Sequence, residues 1–344
     1  MQQTGIVHRV LACLLGGLLA AALAHAKPAP AAGRETPAEQ ASRLMLWPGG
    51  LAPGDTALAG AEHIVERSTN PTMPDRYIDR VSHPYLVVYR PARPNGSALL
   101  VVPGGGYQRV VLDKEGSALV PDLVTRGGVT LFVLRYRLPA EGHPDPREVP
   151  LADAQRGIRL IRAHAADYGV DPHKVGVMGF SAGGHVAASL ATRFDARVYP
   201  RVDAADALSA RPDLQLLVYP VIDLGPLIAH PGSRQRLLGA HPDPASMRAY
   251  SAQNTVTAAS PPAFLLHAQD DDVVPVANTL VYAQALLAHG VSTELHVFPR
   301  GGHGFGVRGT TGLTVAAWPR LALDWMRWQY ATRDTNKQED SHAP

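Results

Sequence analysis

Cysteine is all but absent from this chain: Cys13 is the only one in 344 residues. No intramolecular disulfide can form, and no cysteine cluster exists to hold zinc or an iron–sulfur centre. Nothing resembles His-Glu-x-x-His, so no metal site is expected. Charge of one sign is lacking too. Thirty-two Lys and Arg stand against 30 Asp and Glu, a net of +2, far from the basic surface that neutralises phosphates. A nucleic-acid partner is therefore not expected. Aromatics make up only 6% of residues and mean hydropathy is −0.06, a profile neither disordered nor polytopic.

Long hydrophobic runs are also missing, with one exception. After Arg9 the apolar stretch Val10–Ala24 ends in Ala24-His25-Ala26, a small-x-small pattern, and then Lys27-Pro28. At about 15 residues the stretch is shorter than the roughly 20 needed to span a bilayer. Residues 1–26 are thus expected to be a secretory signal peptide. The remainder would be exported to a periplasm or the medium with no membrane partner. Residues 27–42, rich in Ala and Pro, read as a flexible leader. Residues 332–344 read as a polar, frayed tail. Residues 43–331 lie between them without repeat or linker and read as one domain.

Within that span, apolar runs alternate with amphipathic stretches. Strands are expected at Tyr85–Tyr89, Ala98–Val102, Val129–Leu134, Lys174–Met178, Leu214–Tyr219, Ala263–His267 and Glu294–Phe298. Helices are expected at Gly116–Arg126, Leu151–Tyr168, Ala182–Thr192, Ala277–His289 and Val315–Tyr330. Uninterrupted apolar strands separated by helices predict an α/β fold, a mostly parallel central sheet covered on both faces. In such folds chemistry gathers at the carboxyl ends of the strands.

Gly179-Phe180-Ser181-Ala182-Gly183 sits between a strand and a helix. A turn sharp enough to lift the Ser181 hydroxyl above the sheet needs small residues two before and two after it. A serine hydroxyl needs a base, and the base an acid to orient it. His303, in the glycine-rich loop Arg300–Gly306, is the expected base. Three candidates for the acid adjoin one another, Asp270, Asp271 and Asp272, and Asp223 is a fourth one strand earlier. Pro103-Gly104-Gly105-Gly106-Tyr107 follows the strand Ala98–Val102. Consecutive glycines there can aim amides at a developing oxyanion, together with the amide of Ala182. No Lys-Ser or Lys-Thr follows, which rejects a phosphate loop. Gly304–Gly309 matches G-x-G-x-x-G, but too little chain follows to build a dinucleotide-binding unit.

Taken together, LWPGGLAPG, VVPGGGYQRVVLDKEG, GFSAGGHVAASLA, HAQDDDVVPVAN and FPRGGHGFG resemble the α/β-hydrolase superfamily. More narrowly, the chain is similar to secreted bacterial acetyl-xylan esterase-like carbohydrate esterases from about Leu44 to Trp328. The resemblance implies that Asp271 is the acid, with Ala268 standing where the family has glycine. It implies that Gly105 and Gly106 donate to the oxyanion, with Pro103 replacing a histidine. It implies hydrolysis of short acyl esters, acetyl above all, on plant polysaccharide or its oligosaccharides, without a cofactor. A prolyl-oligopeptidase-type peptidase, a feruloyl or lipid esterase, or a non-catalytic binding protein would use the same scaffold. Tyr107 is a possible substrate contact. Asp153 is expected in the first turn of its helix, near the dipole. His185 is expected to be a packed core histidine, and Arg135 and Arg137 to form structural pairs. The segment Leu224–Pro261 is long enough to cap the site.

Overall fold

The computed structural model describes residues 31–58 and 60–341, with side chains described as far as Thr332. The signal peptide expected at 1–26 lies outside the described residues.

Eight strands form the central sheet: β1 (Arg43–Met45), β2 (Tyr85–Tyr89), β3 (Gly96–Val102), β4 (Thr130–Arg135), β5 (Val170–Phe180), β6 (Gln215–Val218), β7 (Ala263–Ala268) and β8 (Thr293–Phe298). Their order is β8-β7-β6-β5-β3-β4-β2-β1. The six strands from β3 to β8 run parallel, while β2 and β1 are antiparallel at one edge. In β3, Leu99 to Val102 are all fully buried, as a strand covered on both faces must be. Alternation then divides them. Leu100 and Val102 pack with Ile158, Ile161 and Val186, whereas Leu99 and Val101 pack with Leu123, Trp318 and Met326.

The first group of partners comes from helices α2 (Val149–Ala163) and α3 (Ser181–Thr192), joined by α6 (Ala277–Ala288). The second comes from Ser117–Arg126 and from α7 (Trp318–Ser341). Between β6 and β7 lie two short helices, α4 (Pro231–Leu238) and α5 (Pro244–Tyr250). The helix predicted over Leu151–Tyr168 breaks after Ala163, and a further single turn ends at Gly169, which takes φ +65°. The one predicted over Gly116–Arg126 becomes a 3-10 turn followed by a widened π-helical segment with Pro121 in its first turn.

Two expectations need correction. In the expected leader 27–42, the described residues are built into the fold. Ala31–Ala32 pairs with His63–Glu66 in a small antiparallel sheet. The short helix α1 (Pro37–Ala41) carries a Thr36/Glu39 capping box, in which each side chain accepts from the other residue's amide. Glu39 is buried on Arg76 at 2.9 Å, Arg76 also binds Asp113 at 2.7 Å, and Glu35 binds Arg43 at 2.7 Å. Breaking a buried pair of this kind costs about 3–5 kcal/mol. The partners come from elsewhere in the chain, so local composition could not reveal them. The tail predicted to fray from Thr332 continues as helix to Ser341.

Candidate active site

The carboxyl ends of β3, β5, β6, β7 and β8 carry, in turn, Pro103-Gly104, Ser181, Tyr219, Asp271 and His303. Parallel strands of one sheet therefore deliver these residues to a single edge.

Ser181 occupies the left-handed region at φ +52°, a conformation that costs a non-glycine residue about 1–3 kcal/mol. The glycines around it are required by space. A Cβ on Gly179 would fall 2.4 Å from the Gly183 carbonyl oxygen, and one on Gly183 would fall 2.2 Å from that of Val102. The turn can close only with hydrogen at both positions. His303 Nε2 lies 2.9 Å from Ser181 Oγ, and His303 Nδ1 lies 2.7 Å from Asp271 Oδ2. Nδ1–H donates to the carboxylate, which leaves the Nε2 lone pair to accept the serine proton.

Asp271 is the acid that faces His303. Its Oδ1 accepts the amides of Val273 at 3.0 Å and Val274 at 2.8 Å. Its Oδ2 also receives His267 Nε2 at 3.2 Å. Burial by itself would raise its pKa. Hydrogen bonds from His267 and His303, the charge of His303 and the Val274 amide outweigh burial and hold it well below the usual carboxylate range.

The other aspartates do different work. Asp270 Oδ1 takes the amides of Gly301 at 2.9 Å and Gly302 at 2.7 Å, fixing the approach of the histidine loop. Asp272 is exposed. Asp223 bonds the Gly225 amide within its own turn and Gln253 at 2.5 Å.

The glycine loop adjoins the serine at Gly104, where a Cβ would fall 2.9 Å from Ser181 Cβ. The Gly104 amide is spent on Glu115 Oε2 at 2.7 Å. Among the described residues nothing accepts from the amides of Gly105 and Gly106, and Ala182 lies in the first turn of α3, where amides have no partner within the helix. Gly105 takes φ +135°, and a Cβ there would fall 2.1 Å from the Arg109 carbonyl oxygen. The loop that carries the Gly105 and Gly106 amides thus adjoins the serine.

Glu115 was not anticipated as a site residue. It is buried, and its Oε1 accepts from Tyr219 Oη at 3.0 Å, while that Oη accepts the Gly306 amide at 2.9 Å. One carboxylate therefore ties the glycine loop, through the Tyr219 ring 5.0 Å from the His303 ring, to the loop that carries His303. The only sequence signal was an acid following the apolar run Val110–Leu112 in VVLDKEG.

Tyr107 requires a correction. Its backbone is left-handed at φ +58°, which turns the side chain into the core, where it is only 2% exposed. Its Oη meets His185 Nδ1 at 2.7 Å, and His185 Nε2 donates to the Tyr250 carbonyl at 2.7 Å. Tyr107 braces the glycine loop from the core side, its hydroxyl engaged by His185. Burial pushes the His185 pKa down to about 4, so the ring bridges as a neutral donor and acceptor. Asp153 is corrected as well. It lies beyond the first turn of α2, fully buried, accepting from Trp47 Nε1 at 2.9 Å and from Arg137 at 2.7 Å. Arg137 also pairs with Asp55 at 2.8 Å, and Arg135 stands 3.8 Å from Glu35. The glycine run 304–309 is a support loop: Gly306 gives its amide to Tyr219 and its carbonyl to Trp318 Nε1.

A cleft of about 470 Å³ lined by Asn95, Ser97, Lys174 and Met326 lies at the amino-terminal ends of β3 to β5, and none of the site residues lines it. Among the described residues no group of three or more His, Cys, Asp or Glu could hold a metal ion. No helix among them is long and apolar enough to cross a membrane.

The model of the BD-FAE family matches residues 69–286. The acetylxylan esterase of Xylanibacter ruminicola is 36% identical over 225 residues, 64% of this chain and 43% of that protein. Endo-1,4-beta-xylanase B of Butyrivibrio fibrisolvens is 38% identical over 209 residues, 61% of this chain and 32% of that protein. The chain thus spans less than half the length of either curated relative. Among solved structures, the acetyl ester-xyloside bifunctional hydrolase from Caldicellulosiruptor lactoaceticus superposes with a TM-score of 0.66 at 36% identity, covering 83% of this chain and 95% of that one. With its family model matched over most of its length and its sheet order in hand, the chain belongs to the BD-FAE family and has the α/β-hydrolase fold.

Proposed function

We propose that this protein is a serine esterase that removes short acyl groups, acetyl first, from xylan-type polysaccharide or its oligosaccharides. One observation carries the reading: Ser181, His303 and Asp271 form a continuous hydrogen-bonded line, and among the described residues nothing accepts from the amides of Gly105 and Gly106 on the adjoining loop. The names of the relatives supply the substrate class.

In the mechanism, His303 Nε2 takes the proton from Ser181 Oγ as that oxygen attacks the ester carbonyl. Ionised Asp271 holds the Nδ1–H tautomer and offsets the imidazolium charge. The amides of Gly105, Gly106 and Ala182 receive the negative oxygen of the tetrahedral intermediate, each worth about 3 kcal/mol in comparable sites. His303 then passes its proton to the departing sugar oxygen, leaving an acetyl group on Ser181. A water molecule, deprotonated by His303, attacks that acetyl ester, releases acetate and restores the serine. The chain's own residues perform every proton transfer. Export directed by residues 1–26 would deliver the enzyme to a polymer outside the cell.

Acetate release from acetylated xylo-oligosaccharides, measured beside 4-nitrophenyl acetate, tests this reading. Turnover of both is expected. Cleavage of 4-nitrophenyl acetate alone would remove the carbohydrate assignment, and inactivity on both would remove the esterase assignment.

A further inference from the structure

The segment between β6 and β7 places over Gly106 a side chain that the mechanism does not use. His230 precedes α4 and acts as its N-cap, with Nδ1 2.8 Å from Ser233 Oγ and 3.2 Å from the Ser233 amide nitrogen. An amide can only donate, so Nδ1 presents its lone pair and the ring proton resides on Nε2. The ring's Cε1 stands 3.7 Å from where a Cβ on Gly106 would project. Among the described residues Nε2, the atom bonded to that Cε1, has no hydrogen-bond partner, and the ring is only half-buried. Burial and the nearby charges of His303 and Arg236 push its pKa down, with Asp271 opposing them. The ring is thereby kept neutral with its tautomer fixed by the helix cap.

A locked N–H donor beside the glycine loop is placed to meet an acceptor on the substrate. The carbonyl oxygen is already served by three backbone amides, and an acetyl methyl offers no acceptor. The sugar offers several: ring and hydroxyl oxygens flank the esterified position. We propose that His230 is a specificity-determining residue whose Nε2–H binds a sugar oxygen next to the scissile ester. It selects esters of polyhydroxylated alcohols over simple ones. This inference rests on the esterase reading above and deepens it.

Two substitutions separate the helix cap from the donor. His230→Asn retains a good N-cap but withdraws the donor, because its amide reaches only to the position of Nδ1. His230→Gln loses the cap geometry but extends an amide N–H toward the position of Nε2. The measured quantity is the ratio of kcat/KM for acetylated xylo-oligosaccharides to kcat/KM for 4-nitrophenyl acetate. The Asn variant is expected to lower that ratio about tenfold, chiefly through KM, as befits one lost hydrogen bond. The Gln variant is expected to recover most of it. An unchanged ratio in the Asn variant overturns the assignment while leaving the esterase reading intact, as does an equal fall on both substrates. A wild-type protein that releases no acetate from the oligosaccharides overturns the substrate reading and this inference together.

Discussion

Ser181→Ala is expected to lower kcat for ester hydrolysis by about 10⁵–10⁶-fold with the fold intact. The substitution removes one atom, Oγ, whose only hydrogen bond among the described residues is the 2.9 Å contact to His303. His303 stays in place because Asp271 still accepts from Nδ1 at 2.7 Å, and Tyr219 still packs 5.0 Å from its ring. Alanine inherits the φ of +52° and its strain, so stability should change by less than about 1 kcal/mol. What survives is the contribution of the glycine-loop amides and of binding. Initial rates on 4-nitrophenyl acetate, read beside a thermal melt, give both numbers. A variant within tenfold of the wild-type rate would contradict the assignment of Ser181.

Asp271→Asn is expected to cost about four orders of magnitude in kcat, and its neighbours far less. Ionised Asp271 accepts from four donors, and the His303 Nδ1–H is one of them. An asparagine in its place either turns an NH₂ group toward His303, forcing the proton to Nε2, or leaves the amide oxygen without the charge that offsets the imidazolium. The first outcome removes the base, and the second weakens it by leaving the imidazolium unstabilised. Asp270→Asn retains an oxygen that can accept from Gly301 and Gly302, and should stay within about tenfold. Asp272 is exposed, and its asparagine variant should stay within about twofold. Comparing kcat across the three variants tests the ordering. Equal losses for Asp270 and Asp271 would mean that the loop, not one carboxylate, is what matters.

How far the sequence reached depends on whether a residue's role is local. The Ser181 turn shows in five residues because both flanking positions must be glycine, Gly179 against the turn's own Gly183 carbonyl and Gly183 against the Val102 carbonyl of the neighbouring strand. The central strands were legible for a similar reason, since burial on both faces makes Ala98–Val102 and Leu131–Leu134 unbroken apolar runs. The three adjacent aspartates could not be separated by spacing, only by the family resemblance. The structure separates them because backbone amides and two histidines converge on Asp271. Tyr107 misled because its side-chain direction depends on a left-handed φ that no composition announces. Asp153 misled because its partners Trp47 and Arg137 come from other segments. Glu115 and His230 were silent for the same reason: each acts on a loop remote in sequence, Gly306 in one case and Gly106 in the other.

Covalent trapping tests the central claim most directly. The protein would be treated with diethyl 4-nitrophenyl phosphate, and peptide mass spectrometry would locate the diethylphosphoryl group while residual esterase activity is followed. The account predicts a single adduct on Ser181 that accumulates in step with the loss of activity, and none in Ser181→Ala. Full modification of Ser181 with activity retained, or inactivation through an adduct at another residue, would contradict it.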